Sequence, residues 1–312
     1  MITSTSHWRS EILTGLQKPQ KELPSKFLYD ERGSQLFDRI CETPEYYITR
    51  VETEIMENAA EEIASLIGSQ VLLIEYGNGS SNKTQILLEH IRELSGYIPI
   101  DISLESLMSA ASKLATIYPW LKIYPVWADF TDYFNLPPAC DSLPLRLAYL
   151  PGSTIGNFYP EDAVAFMKRI AQVVRLGGIL IIGMDLEKEN RILHLAYNDE
   201  AGVTAEFNKN ILVHINHEFG SDFCVNRFRH QAFYNKTLRR VEMYLVSLTN
   251  QLVNVCGTEY RIQENESILT EVSYKYSAEE FQGLVLRAGF TTLRVWTDPL
   301  QLFSVYYLIA HN

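Results

Sequence analysis

Short apolar runs recur along this chain, and between them apolar residues return every third or fourth position. Ile55, Met56, Ala59, Ile63 and Leu66 stand at helical spacing over residues 51–68, with Glu and Asn between them. Val71-Leu-Leu-Ile-Glu-Tyr-Gly then reads as a buried strand feeding a glycine turn, and 83–94 reads as a second amphipathic helix. The alternation continues with a strand over 97–102, a helix over 104–117, strands over 122–128 and 146–151, a helix over 160–174 and a strand over 178–184. Strands alternating with helices of this length predict βαβ units and a mostly parallel sheet.

From residue 188 the rhythm changes. A long helical stretch over about 188–218 precedes three β-like runs, 227–234, 239–255 and 258–263, broken by turn residues such as Asn235-Lys236. This pattern predicts an antiparallel unit. The α/β rhythm resumes with a helix over 278–288, the strand Thr291-Thr-Leu-Arg-Val-Trp and a last strand over 302–309. The expected organisation is therefore an α/β core from 51–187 and 276–312, with a second α+β domain from 1–50 and 188–275.

Composition narrows the function. A hydrophobic content of 46% with 21% charged residues is that of a globular protein. The net charge of −11 argues against nucleic acid as a partner, since phosphate binding needs concentrated Lys and Arg. Cys41, Cys140, Cys224 and Cys256 stand singly, which favours reduced thiols over disulfides or zinc. The polar start shows no signal peptide and no apolar run reaches membrane-spanning length, so a cytoplasmic monomer, free of membranes, is expected. His214-x-x-His217 lacks a third ligand in a recognised spacing, and no metal is expected.

Candidate chemistry gathers at the predicted strand ends. Ala148-Tyr-Leu-Pro-Gly-Ser-Thr-Ile-Gly-Asn-Phe158 ends an apolar strand in small, uncharged residues, at the carboxyl edge where open α/β sheets place ligands. Gly77-Asn-Gly79 follows the first strand and precedes a helix, so its backbone can approach a ligand closely. Asp101 ends the second strand, where an acid can accept both ribose hydroxyls, and Asp129-Phe130 ends the third, beside where an adenine would lie. Together these predict an adenosine-type ligand. A nicotinamide dinucleotide would favour a third glycine, but Asn82 stands there. S-adenosylmethionine fits better. The terminal strand, Thr297-Asp-Pro299, strand pattern and Leu176-Gly-Gly178 resemble class I methyltransferases, implying a Rossmann-like sheet with a terminal antiparallel hairpin.

Several collinear segments resemble the histidine Nα-methyltransferase family of ergothioneine biosynthesis. They are Phe27-Leu-Tyr29-Asp30-Glu-Arg-Gly33-Ser34-x-Leu36-Phe37-Asp38, Pro44-Glu45-Tyr46-Tyr47-x-Thr49-Arg50 and Gly152-Ser-Thr-Ile-Gly-Asn157. Further along come Tyr197-Asn-Asp-x-Ala201-Gly-Val-Thr-Ala-x-Phe207-Asn208, Val241-Glu242-Met243 and Thr270-Glu271-Val272-Ser273-x-Lys275. The resemblance implies donor contacts at Tyr29, Phe37, Gly77, Gly79, Lys83, Asp101, Asp129 and Phe130. It implies that Asn157 and Tyr197 hold the amine and carboxylate of the amino acid, with Gly152 and Thr154 lining that pocket. It implies that Tyr46, Glu271 and Ser273 hold the imidazole, with Met243 beside it, and that histidine is methylated three times to the betaine hercynine. Asn157 and Tyr29 are the catalytic candidates.

Other readings compete. Tyr29 and Phe37, taken alone, read as core aromatics, and Glu271 as an exposed strand-edge charge. A methyltransferase for tryptophan or tyrosine would not need both Glu271 and Ser273, because indole has no ring acceptor. A nicotinamide-dependent oxidoreductase and a non-catalytic ligand sensor are the more distant alternatives.

Overall fold

A computed structural model describes residues 5–77, 82–91, 93–140 and 145–311. In chain order its helices are α1 (Thr5–Gln17), α2 (Glu31–Glu42), α3 (Tyr47–Ile67), α4 (Asn82–His90), α5 (Leu104–Ile117), α6 (Pro160–Val174), α7 (Asn190–Ala196), α8 (Val203–Phe219) and α9 (Ala278–Arg287). Its strands are β1 (Val71–Tyr76), β2 (Gly96–Asp101), β3 (Val126–Trp127), β4 (Leu145–Leu150), β5 (Ile179–Asp185), β6 (Phe228–Asn235), β7 (Arg240–Ser247), β8 (Gln251–Val255), β9 (Thr258–Ile262), β10 (Ser267–Tyr274), β11 (Phe290–Thr297) and β12 (Phe303–Ala310). The chain divides into two compact units, one from residues 48–187 and 274 onward, the other from the segment up to Tyr47 with 188–273.

The first unit is built on a seven-stranded sheet in the order β11-β12-β5-β4-β1-β2-β3. β1 pairs in parallel with β2 and β4, and β4 with β5, whereas β12 runs antiparallel to both β5 and β11. β1 and β5 are buried at every position, which explains their continuous apolar runs: helices cover a parallel sheet on both faces. The reversal of order beside β1 places the carboxyl ends of β1, β2 and β4 around a switch point, the usual ligand crevice of such sheets.

The second unit holds a three-stranded sheet, β10-β7-β6, and the separate hairpin β8-β9. Residues 21–23 extend the larger sheet alongside β10, through the backbone bonds Leu269 N to Lys21 O (2.8 Å) and Leu23 N to Leu269 O (2.8 Å). Three expectations fail, two in this unit and one in the first. The helical stretch 188–218 is two helices, because Asp199 accepts hydrogen bonds from Val203 N and Thr204 N and so starts α8 afresh, with Gly202 at φ +72° before it. The run 239–255 is two strands, β7 and β8, and 122–128 shortens to the two residues of β3, where Pro125 lacks a backbone donor.

Candidate active site

In the first unit the predicted strand-end residues stand at or just beyond the carboxyl ends of β1, β2 and β3. Gly77 follows β1 at φ +82°, and a Cβ there would sit 3.7 Å from the Phe130 ring. Asp101 Oδ1 accepts from Ser103 N (2.8 Å), so this acid also shapes the turn into α5. Asp129 Oδ1 accepts from Thr131 N (2.9 Å) and from its hydroxyl (2.5 Å), fixing the carboxylate just past β3. Phe130 packs against Tyr76 and Phe166, with ring centroids 6.0 and 5.7 Å away. Glycine, two carboxylates and one aromatic ring thus stand at the ends of three neighbouring strands. Gly79 lies outside the described residues.

The turn after β4 is held in an uncommon shape. Gly152 and Ser153 both have positive φ (+73° and 58°), which only glycine adopts without cost. Ser153 Oγ accepts from Asp185 N (3.0 Å), Thr154 Oγ1 donates to Pro151 O (2.7 Å), and Phe158 stacks on Phe166 at 4.7 Å. Asn157 closes the short 3-10 turn Thr154–Asn157 and is half-buried.

Beneath this turn lies a residue that the sequence reading passed over. Glu52 of α3 is fully buried; it pairs with Lys83 Nζ and accepts from Gly152 N at 3.1 and 2.9 Å through its two oxygens. The signal was present, because Glu52 stands in the helical stripe of Ile48, Ile55, Met56 and Ala59, where an apolar residue belongs. A second buried carboxylate, Glu75 on β1, accepts hydrogen bonds from the Thr84 and Tyr97 hydroxyls. Burial raises its pKa from 4.5 to about 7, the two hydroxyls and Lys83 offsetting part of the rise.

In the second unit four distant motifs meet. Tyr29 lies between Phe37 (5.6 Å) and Phe207 (5.4 Å), and Phe37 meets the Tyr46 ring edge-on at 6.1 Å. Burial pushes the Tyr46 hydroxyl well above the ordinary phenol range, and Tyr197, Cys41, Tyr29 and Glu271 add to the rise, so these groups share its surroundings. Glu271 is 9% exposed and Ser273 3%; two residues apart on β10, they face the same way. Glu271 is therefore no exposed strand-edge charge. Met243 is buried on β7, where its carbonyl accepts from Thr270 Oγ1 (3.1 Å).

The sequence motifs around these residues are largely scaffold. Asp30 caps α2 by accepting from Gly33 N (2.7 Å) and also accepts from Asn210 Nδ2 (2.7 Å). Gly33 is required because a Cβ there would strike the Leu28 carbonyl oxygen. Asn208 links the Thr270 hydroxyl to His230, whose Nε2 lies 3.0 Å from Tyr197 O. His214 is engaged with the Phe27 carbonyl (2.8 Å), and His217 is exposed beside Glu218. Among the described residues no cluster of three or more His, Cys, Asp or Glu could hold a metal, and no helix is long and apolar enough to cross a membrane.

Residues 8–310 match the family described as histidine-specific methyltransferase, SAM-dependent. The chain belongs to this family. The histidine N-alpha-methyltransferase of Mycolicibacterium smegmatis is 37% identical over 302 residues, which cover 95% of this chain and 93% of that one. Ergothioneine biosynthesis protein 1 of Neurospora crassa is 31% identical over 306 residues, covering 91% of this chain and 33% of that protein. A solved S-adenosylmethionine-dependent methyltransferase from Clostridium acetobutylicum superposes with a TM-score of 0.50 at 13% identity, over 85% of this chain and 96% of that one. This likeness agrees with the seven-stranded sheet. As a member of the histidine-specific family, the chain uses S-adenosylmethionine as methyl donor.

Proposed function

We propose that this protein methylates the α-amine of L-histidine three times, producing hercynine on the route to ergothioneine. The observation that carries the reading is the convergence at Tyr46 of Tyr29, Tyr197 and Glu271, groups drawn from four separate motifs. That set offers an imidazole a carboxylate acceptor, hydroxyls and aromatic walls together.

In this proposal Gly77, Gly79, Lys83, Asp101, Asp129 and Phe130 hold the donor; the family resemblance assigns Tyr29 and Phe37 to the donor as well. The bound donor supplies an electrophilic methyl on a sulfonium. Aromatic faces favour such a cation by about 0.5–2 kcal/mol, and they tolerate the permanent charge of the trimethylated product. Gly152, Thr154 and Asn157 receive the amino-acid backbone, to which the family resemblance also assigns Tyr197. Asn157 orients the amine through a neutral amide, which leaves the nitrogen free to exist with its lone pair; a carboxylate there would favour the unreactive ammonium. The proton that the amine loses passes to water. Tyr46, Glu271 and Ser273 grip the ring, the carboxylate accepting from one imidazole N–H and a hydroxyl donating to the opposite nitrogen, with Met243 alongside. Alignment of the two reactants is the protein's main task, and orientation of this kind supplies about 7–11 kcal/mol.

The test is incubation with methyl-labelled S-adenosylmethionine and each amino acid in turn. Histidine should gain up to three methyl groups by mass. Methylation of tryptophan but not histidine refutes the substrate assignment. Glu271→Ala should lose histidine preference by about 10²-fold or more while retaining S-adenosylhomocysteine binding, since an unpaired ring nitrogen then remains buried. Unchanged histidine turnover in that variant refutes the ring contacts.

A further inference from the structure

We propose that Glu52 is a positioning residue that ties the donor-side lysine and the acceptor-side turn into one rigid piece. The proposal rests on the reading of Lys83 as a donor contact and of residues 152–157 as an acceptor contact. Glu52 is 0% exposed although it carries a carboxylate, so its place needs a compensating reason. Each of its bonds supplies part of one. Lys83 Nζ, itself nearly buried, pairs with Oε2. Gly152 N donates to both oxygens, at 3.1 and 2.9 Å.

The surroundings are cut to fit this carboxylate. Gly183 lies in the buried middle of β5, a position where glycine weakens a strand. A Cβ at 183 would collide with Glu52 Oε1, so the missing side chain is the space that the carboxylate occupies. The Lys83 ammonium lies 3.9 Å from where a Cβ on Gly152 would stand, so lysine, glutamate and turn are in mutual reach. Glu52 therefore does two separable things. Its charge fixes one of the three donors of the Lys83 ammonium, aiming the remainder. Its oxygens hold Gly152 in the left-handed conformation from which Thr154 and Asn157 follow.

These two arms respond differently to substitution. Glu52→Gln keeps an oxygen for Gly152 N but removes the charge that Lys83 uses. It should weaken S-adenosylhomocysteine binding and raise the KM for S-adenosylmethionine by about tenfold, with the histidine KM within about twofold of wild type. Glu52→Asp keeps the charge, which the flexible lysine can follow, but retreats by one methylene from the fixed Gly152 amide. It should raise the histidine KM and leave S-adenosylhomocysteine affinity near wild type. In a Lys83→Met background, Glu52→Gln should cost no further donor affinity, because its effect acts through Lys83.

The experiment combines calorimetric titration of S-adenosylhomocysteine with steady-state kinetics for both substrates, on variants whose folding is checked by thermal melting. If wild-type protein binds no S-adenosylhomocysteine, the donor reading itself fails. If wild type binds it and Glu52→Gln binds it equally, the positioning role fails. A fall in kcat in both Glu52 variants with both KM values unchanged means that the residue serves packing alone and overturns the proposal. If Glu52→Gln does not fold, the Glu52→Asp split decides: an unchanged histidine KM there overturns it as well.

Discussion

Glu75 should make the stability of this protein fall as pH rises from about 4.5 to about 7. Its carboxylate is buried on β1 with two hydroxyls donating to it, and burial lifts its pKa from 4.5 to about 7. Between those values the folded chain holds a proton that the unfolded chain has already released. Stability from this group is thus complete below about pH 4.5 and declines until about pH 7, where the folded state also ionises. At roughly 1.4 kcal/mol per pH unit, the displacement amounts to about 3 kcal/mol. Glu75→Gln removes the titration and preserves the shape, and the Tyr97 and Thr84 hydroxyls can donate to its oxygen or accept from its amide. Urea unfolding of both proteins at intervals from pH 4.5 to pH 8.5 measures the difference. The variant should gain about 3 kcal/mol relative to wild type between the two ends, because only wild type carries the cost of a buried charge above pH 7. A difference that stays constant to within about 0.5 kcal/mol across this range refutes the reasoning.

Two further outcomes follow from buried charge. Lys275→Met strands Asp185, its fully buried partner at 2.7 Å, and should cost about 3–5 kcal/mol in urea unfolding; adding Asp185→Leu should recover most of that loss. Asn157→Asp should lower kcat/KM for histidine about tenfold at pH 7 and shift the pH profile of kcat/KM upward by about one unit, because a carboxylate holds the amine protonated; an unshifted profile refutes the role of Asn157.

The α/β framework was legible because β1 and β5 are buried on both faces, leaving nothing but apolar residues to write there. The final hairpin was expected from the resemblance of its strand, Thr297-Asp-Pro299, strand pattern to class I methyltransferases, and β11 and β12 do pair antiparallel. Errors arose where a local interaction interrupts a continuing period. Apolar spacing continues through Tyr197–Gly202, but the Asp199 cap and the positive φ of Gly202 divide the helix. β10 went unread as a strand because its outer neighbour, residues 21–23, lies almost the whole chain away. The candidate site divided in the same way. Strand-end residues such as Gly77, Asp101 and Asp129 announce themselves by position and type. Tyr29, Phe37 and Tyr46 resemble core aromatics in any single sequence, and only their resemblance to a family marked them. Glu52 differs again: its place in the apolar stripe was readable, but it is one glutamate among several in α3, and its partners at 83 and 152 are distant in sequence.

The pairing of residues 21–23 with β10 also has a consequence for synthesis. The strand that carries Glu271 and Ser273 takes its outer hydrogen bonds from a segment that is made long before β10 itself. That segment must wait for this partner until the residues between them have been made. Trimming or tagging the chain close to Lys21 would therefore strip the edge from a strand some 250 residues downstream, and the damage would register as lost discrimination between amino acids before it registered as loss of the Rossmann-like sheet.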